Sequence, residues 1–389
     1  MVQIKEVKTK GDLRRFADYP NRLYGDVKAF VPPLLSDDLA DWDRKKNPAF
    51  EYCDAKCWLA YRDGEIVGRI GAILSRKANE KWGTSRMRFT QVDFIDDPEV
   101  SEALFATVEE YARACGCDQV HGPLGFTDLD REGLLVEGFD RRNMFITYYN
   151  APYYNDHLTR LGYAKDVDWI EFYITVPEED APAIQRVKKV AKYVTRNGKY
   201  RVVQVRSRKD YGPYIRKVFN LVNEAYAHLY GTVDLSEKQI VRYADKFIPM
   251  VDPEYVCFVE DDRGELVAFG ITAPSLADAF KKCRGRLFPF GWMGVLKALK
   301  KNDAADLFLI AVRPDLQGKG LNAVILDYLY GLYRKNGIRV IETGPQLETN
   351  QKVQSQWDGF DKELHKRRRC YIKDLQPVAQ KTEKEPATV

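Results

Sequence analysis

Apolar and polar residues alternate through Trp58–Leu74, "WLAYRDGEIVGRIGAIL", around an Asp63-Gly64 turn, which predicts a half-buried antiparallel hairpin. The same pattern returns at Cys257–Ala273, "CFVEDDRGELVAFGITA", where Gly264, Glu265 and Val267 follow Gly64, Glu65 and Val67 by two hundred positions. The neighbouring elements repeat as well. A short strand and a helical stretch precede each hairpin, starting at Ile4 and at Tyr200. An apolar strand (Phe89–Ile95; Asp306–Val312), a long amphipathic helix, a second apolar strand and a Gly-Pro pair (Gly122-Pro123; Gly344-Pro345) follow each. In the helices, Val100, Ala103, Leu104, Thr107, Val108 and Tyr111, and again Leu321, Val324, Ile325, Tyr328, Leu329 and Leu332, keep the spacing of one buried face. Each ends at a glycine suited to the left-handed position past a helix, Gly116 or Gly337.

One β-rich unit used twice predicts two domains, residues 1–176 and 177–375, joined at "PEEDAP" (Pro177–Pro182). Gln376–Val389 has almost no large apolar residue and is expected to be a mobile tail. Charge and composition narrow the picture. With 61 Lys+Arg against 57 Asp+Glu, the net charge of +4 lacks the bias of a nucleic-acid binder. No uninterrupted apolar run reaches the length of a membrane span, and the N-terminus lacks a signal-peptide core, so a cytoplasmic protein is expected. Its seven cysteines are then thiols, and their spacings do not match zinc sites, so no metal is assigned.

The two copies differ at the strand–helix junction. In the second, "VRPDLQGKGLN" places Gly318 and Gly320 at a helix N-terminus, where bare backbone amides and the helix field suit an anion, and Lys319 adds a cation. In the first, Asp97 is the expected N-cap, followed by Pro98 and Glu99. That start is satisfied internally, and its acids repel phosphate.

The loop resembles the pyrophosphate loop of the GNAT acyltransferase superfamily, Gln/Arg-x-x-Gly-x-Gly/Ala, with Gln317 and Gly320 at matching positions and Asn322 in place of the last Gly/Ala. "NQKVQSQWDGF" (Asn350–Phe360) is similar to that family's Asn-x-x-Ala…Tyr…Gly-Phe helix, and "YYNDHLTRLGY" (Tyr153–Tyr163) resembles it in the first half. The resemblance, which extends to a bacterial branch of such proteins, implies an α/β (α+β) fold of two tandem GNAT-like domains, each a mixed, mostly antiparallel sheet flanked by helices. The first copy would be degenerate. The second would bind acetyl-CoA or another acyl-CoA through the strand Ile310, Ala311 and Val312, the loop Gln317, Gly318, Lys319, Gly320, Leu321 and Asn322, and Asn350. The implied activity is N-acyl transfer, foremost N-acetyl transfer, directly to a small-molecule or peptide amine, by a monomer or homodimer. Trp357 stands where the family commonly has a Tyr that reprotonates the CoA thiolate, and an indole cannot act as that acid. A non-catalytic acyl-CoA sensor is therefore the alternative, and aminoacyl transfer from charged tRNA the third.

Acyl transfer to an amine needs a base, for which Glu342 and Glu348 are the candidates by position, each also readable as a structural ion pair. Tyr371 and Cys370 are weaker candidates for the thiolate side. The stretch His121–Asp140 concentrates Asp128, Asp130, Glu132 and Glu137; a surface loop is the default reading, and Asp128 and Asp130 are candidate contacts to a cationic acceptor. An insertion unique to the second half, around "RLFPFGWMGVLKALKK", reads as core, as the wall of an apolar channel, or as a membrane contact. The run "HKRRRC" (His365–Cys370) reads as a solvated basic face or a partner for the acidic loop.

Overall fold

The structure, a computed structural model, describes residues 1–203 and 205–376, so the tail expected from 376 lies outside the described residues beyond its first position. The first half runs β1 (Gln3–Glu6), α1 (Lys10–Leu23), α2 (Leu35–Asp41), β2 (Cys53–Arg62), β3 (Glu65–Ser75), α3 (Arg76–Trp82), β4 (Arg86–Phe94), α4 (Pro98–Ala114), β5 (Gln119–Gly122), β6 (Leu134–Glu137), α5 (Tyr153–Arg160) and β7 (Ala164–Thr175). The second runs α6 (Pro182–Thr195), β8 (Tyr200–Val203), α7 (Gly212–Tyr226), α8 (Glu237–Phe247), β9 (Val256–Asp261), β10 (Leu266–Pro274), α9 (Ala277–Cys283), α10 (Gly291–Lys300), β11 (Ala304–Val312), α11 (Leu321–Lys335), β12 (Val340–Thr343), β13 (Gln346–Leu347), α12 (Gln351–Gln354) and β14 (Lys362–Asp374).

Both hairpins form where alternation places them. Asp63 and Gly64 have φ of 51° and 84°, the paired left-handed conformation of a tight two-residue hairpin turn. Asp97 caps α4 through the amides of Glu99 and Val100, and Arg62 pairs with Asp97 and Glu99 at 2.6 and 2.7 Å. The first copy thus closes its own helix start.

All the strands belong to one sheet, ordered β1-β2-β3-β4-β5-β14-β7-β12-β11-β10-β9-β8, with β6 and β13 attached at the side. The halves exchange their last strands. β7, from the first half, pairs with β12 of the second; β14, from the second, pairs with β5 and β6 of the first; and β7 and β14 lie side by side. The boundary read at residue 176 follows β7 directly, so a chain cut there leaves in each half a strand that the other needs.

Of the two readings of the basic run, the solvated face does not hold, while Arg367 does pair with Glu137 of the acidic stretch at 3.2 Å. The run forms the middle of β14, and Lys366 and Arg368 are buried. Arg368 pairs with Glu171 on β7 and donates to Asn143 Oδ1 at 2.7 Å, while Lys366 pairs with Glu342 on β12 and lies 3.7 Å from Glu171. Burial pushes the Glu171 carboxyl up, but Arg368 and Lys366 outweigh that and hold it below its ordinary range.

Removing one partner of a buried pair leaves an unpaired charge, which costs about 3–5 kcal/mol. Arg368→Ala should lower unfolding free energy by about that amount in denaturant titration, whereas Arg369→Ala should cost about 1 kcal/mol or less, because Arg369 is part-exposed and the buried Asp168 keeps Lys165 and Arg367 as partners. Equal, small losses would contradict the buried seam.

Candidate active site

β11 and β12 run parallel but pair only from Ala304↔Val340 to Leu307↔Thr343. The Gly344 amide closes the ladder on Leu307 O at 2.9 Å, and Gly344-Pro345 then turns away. From Phe308 to Val312, β11 pairs with β10 alone, which leaves its other edge without a strand partner. An unpaired strand edge offers a row of backbone donors and acceptors to an extended ligand.

At the end of that edge the chain passes through Gln317, whose amide donates to Val312 O at 3.3 Å, into the glycine loop. Gly318 and Gly320 have φ of 75° and 86°, and Gly320 is the N-cap of α11 without a side-chain cap. Among the described residues, the amides of Gly318, Gly320, Leu321 and Asn322 have no acceptor. Four free amides and a helix N-terminus make a seat for an oxyanion. Gly320 is fixed twice over, because a Cβ there would lie 2.9 Å from Val190 and 3.0 Å from Val194 of α6.

From the free edge of β11 a cavity of about 300 Å³ opens beneath α7 and α8. Leu307–Ile310, Ile271, Val218, Phe219, Phe247 and Trp169 give it a largely apolar wall. The acidic stretch lies against it rather than out in solvent: Asp128, Asp130 and Glu132 line the cavity from the first half. Asp130 is tied into the wall, accepting from Tyr243 at 2.9 Å and from the Thr127 amide at 3.2 Å. The other two are held less tightly. Burial pushes the Asp128 carboxyl up to about 6. Burial, then the neighbouring Asp128, pushes Glu132 well above its ordinary range, and its Oε1 is buried without a hydrogen-bond partner. Low-dielectric surroundings that favour neutral carboxyls create groups able to exchange protons near neutrality.

Ile310, Asn350 and Gln346 also border the cavity, whereas Ala311 packs in the core and Leu321 buries its side chain beneath the loop. Asn350 caps α12 through the Val353 amide. Glu342 lies one residue before the fork, beside Asp306, bound to Lys366 and away from the cavity lining. Glu348 sits at the surface in pairs with Lys165 and with Arg367. Trp357 is a buried core residue whose Nε1 faces Gln346 Oε1 at 3.4 Å. Tyr371 donates to Asn155 in the first half, and Cys370 is buried, its thiol pushed up by burial; neither lines the cavity.

Two tyrosines that the sequence reading passed over do line it. Tyr226 donates to Ile310 O at 3.0 Å, and Tyr230 donates to Asp166 while meeting His121 Nδ1 at 2.8 Å. Their only sequence signal is a spacing of four, Tyr226 ending α7 and Tyr230 just beyond it, which a core face shares. His121, Asp166 and Cys370 come close enough to suit a metal, as do Glu171, Glu342 and His365. The Tyr230 hydroxyl contacts all three of the first group, and Lys366 pairs with both carboxylates of the second.

A forked parallel pair, an amide-lined loop at a helix start and a repeated unit recur in a known architecture. The solved structure of a tandem GNAT protein from the clavulanic acid biosynthesis pathway superposes at a TM-score of 0.57 with 14% identity, covering 97% of this chain and 100% of that one. The chain has the tandem GNAT fold. No protein-family model matches it. By sequence it is 28% identical over 372 residues to Protein YghO of Escherichia coli (strain K12), covering 94% of each. It is also 28% identical over 297 residues to the bacterial ceramide synthase of Caulobacter vibrioides (strain NA1000 / CB15N), covering 76% of this chain and 75% of that protein.

Because Gly320 is packed against α6, the anion seat is better probed at Lys319, which reverses charge without a clash. If the loop holds the diphosphate of CoA, as the sequence resemblance implies, Lys319→Glu should weaken CoA binding about tenfold in calorimetry and leave the melting temperature unchanged. Unaltered affinity would show that the GNAT-like loop does not hold the diphosphate.

Proposed function

We propose that this protein is an N-acyltransferase that moves a long-chain acyl group from acyl-CoA to a hydrophobic amine by direct attack. The apolar cavity at the free edge of β11 carries the reading. The free amides of residues 318–322 would bind the diphosphate, the edge Phe308–Val312 would pair with the pantetheine arm, and the acyl chain would run into the cavity. An acetyl group, the foremost of the acyl groups expected from the sequence, would fill only a small part of it. The relative named as a ceramide synthase supports the same class of product, since a ceramide joins an acyl chain to a long-chain amino alcohol.

The acidic pair supplies the proton chemistry in this reading. Burial raises both carboxyls, Asp128 up to about 6, so near neutral pH Asp128 is ionised and attracts the ammonium form of the acceptor. Asp128 takes the proton, the amine nitrogen attacks the thioester carbon, and amides of the β11 edge stabilise the oxyanion. The C–S bond then breaks, the Tyr226 hydroxyl, already placed on Ile310 O, gives its proton to the departing thiolate, and the second proton that the nitrogen sheds as the amide forms restores the hydroxyl. In this reading Tyr226 takes the role that Trp357 cannot fill.

Three outcomes test this. Thiol release with a long-chain amino alcohol should rise from acetyl- through octanoyl- to palmitoyl-CoA, and equal rates would reject the long-chain reading. Asp128→Asn should lower kcat by about a hundredfold or more. In the wild type, kcat/KM should fall as pH drops below about 6, where Asp128 protonates, and that limb should vanish in the variant.

A further inference from the structure

The segment between β10 and β11 folds into α9 and α10 and leaves its largest apolar side chains in water. Phe288 is 83% exposed, Phe290 74%, Met293 55%, Leu296 45% and Trp292 44%. Exposed apolar residues scattered singly need no explanation, but five within one short segment form a patch that does. The inner face of α10 is apolar too: Val295, Ala298 and Leu299 pack in a cluster with Leu34, Phe145 and Phe280. A short helix with apolar side chains on both its inner and outer faces, apart from Lys297 and Lys300, is ordinarily covered on both. Here the protein covers one.

Charge indicates what covers the other. Between Ala277 and Asp303 the chain has seven basic and two acidic residues. Both acids are engaged, Asp278 with Arg142 at 3.0 Å and Asp303 with Arg339. Arg286 is held by Asp18, and Lys281 by the carbonyls of Val27 and Lys28. Lys282, Arg284, Lys297, Lys300 and Lys301 are exposed and make no ion pair among the described residues. Two copies meeting through this patch about a two-fold axis would bring like charges face to face. Anionic lipid headgroups offer the opposite charge, and Trp, Phe and Leu beside Lys is the composition of helices that lie in a membrane interface. No helix among the described residues is long and apolar enough to cross a membrane, so the contact is peripheral.

We propose that the segment 282–301 docks this protein on an anionic bilayer, with Phe288, Phe290, Trp292, Met293 and Leu296 entering the boundary between headgroups and acyl chains. The same segment packs on Phe308 and Ile146, two residues of the cavity wall. Under the proposed function, docking would bring the cavity to the surface where long-chain substrates reside; the docking itself stands on the patch alone.

Co-sedimentation of the full chain with phosphatidylglycerol/phosphatidylcholine vesicles, and with phosphatidylcholine alone, tests it. Wild type should pellet with the mixed vesicles, less with the neutral ones and less at high salt. The double variant Phe288→Ser/Phe290→Ser should lower partitioning about tenfold or more. Lys297→Glu/Lys300→Glu/Lys301→Glu should erase the preference for anionic vesicles. Thermal unfolding of both variants should match wild type, since the altered groups are exposed. A wild type that stays in the supernatant, or a double serine variant that binds equally well, overturns the proposal. So does a dimer by light scattering that the serine variant dissociates while neither protein binds vesicles. Thiol release from the same variants, with substrates kept below their aggregation limits, separates a failed dock from a failed enzymatic reading.

Discussion

The buried charges at the centre of the sheet set the terms for everything else. Arg368 and Lys366 on β14 meet Glu171 on β7 and Glu342 on β12, so cations and carboxylates from both halves are out of water together. Taking such groups from water is expensive, and only their mutual pairing offsets it. Neither half can satisfy its share alone. The exchange of β7 and β14 therefore converts two repeated units into one sheet, and it brings a first-half loop against a second-half cavity.

That placement gives the two copies different work. The first has sealed its helix start with Asp97, Glu99 and Arg62 and contributes the carboxyls of Asp128 and Glu132. The second keeps an open strand edge and free loop amides. Where they meet, an apolar wall and a desolvated acidic pair lie within one cavity, and the same apolar surroundings that suit a hydrocarbon chain raise the carboxyl pKa values. Under the proposed function, chain binding and proton transfer would share one cause.

Much of the fold was legible along the chain because its cues are local. Alternation marked both hairpins, 3.6-residue spacing marked α4 and α11, and Gln317-Gly318-Lys319-Gly320 marked the loop. The strand exchange was not legible, since pairing partners such as Arg368 and Glu171 are almost two hundred residues apart and nothing local records them. For that reason a basic run read as solvated is a buried strand. Glu342 and Glu348 stood out by position, but their cations lie on β14 and β7, and only the folded sheet shows those carboxylates already engaged. Asp128 stood out by composition, whereas Tyr226 looked like any residue of a helix face until its hydroxyl was found on Ile310 O.

The central claim is that an acyl chain lies in the cavity between β11, α7 and the 128–132 loop. A long-chain acyl-CoA analogue with a diazirine at its chain end, activated by light and mapped by peptide mass spectrometry, reads that position directly. The account predicts labels on cavity residues such as Val218, Phe219 and Phe247, competed away by palmitoyl-CoA. Labels confined to the outer surface, or labelling that palmitoyl-CoA does not reduce, would contradict it.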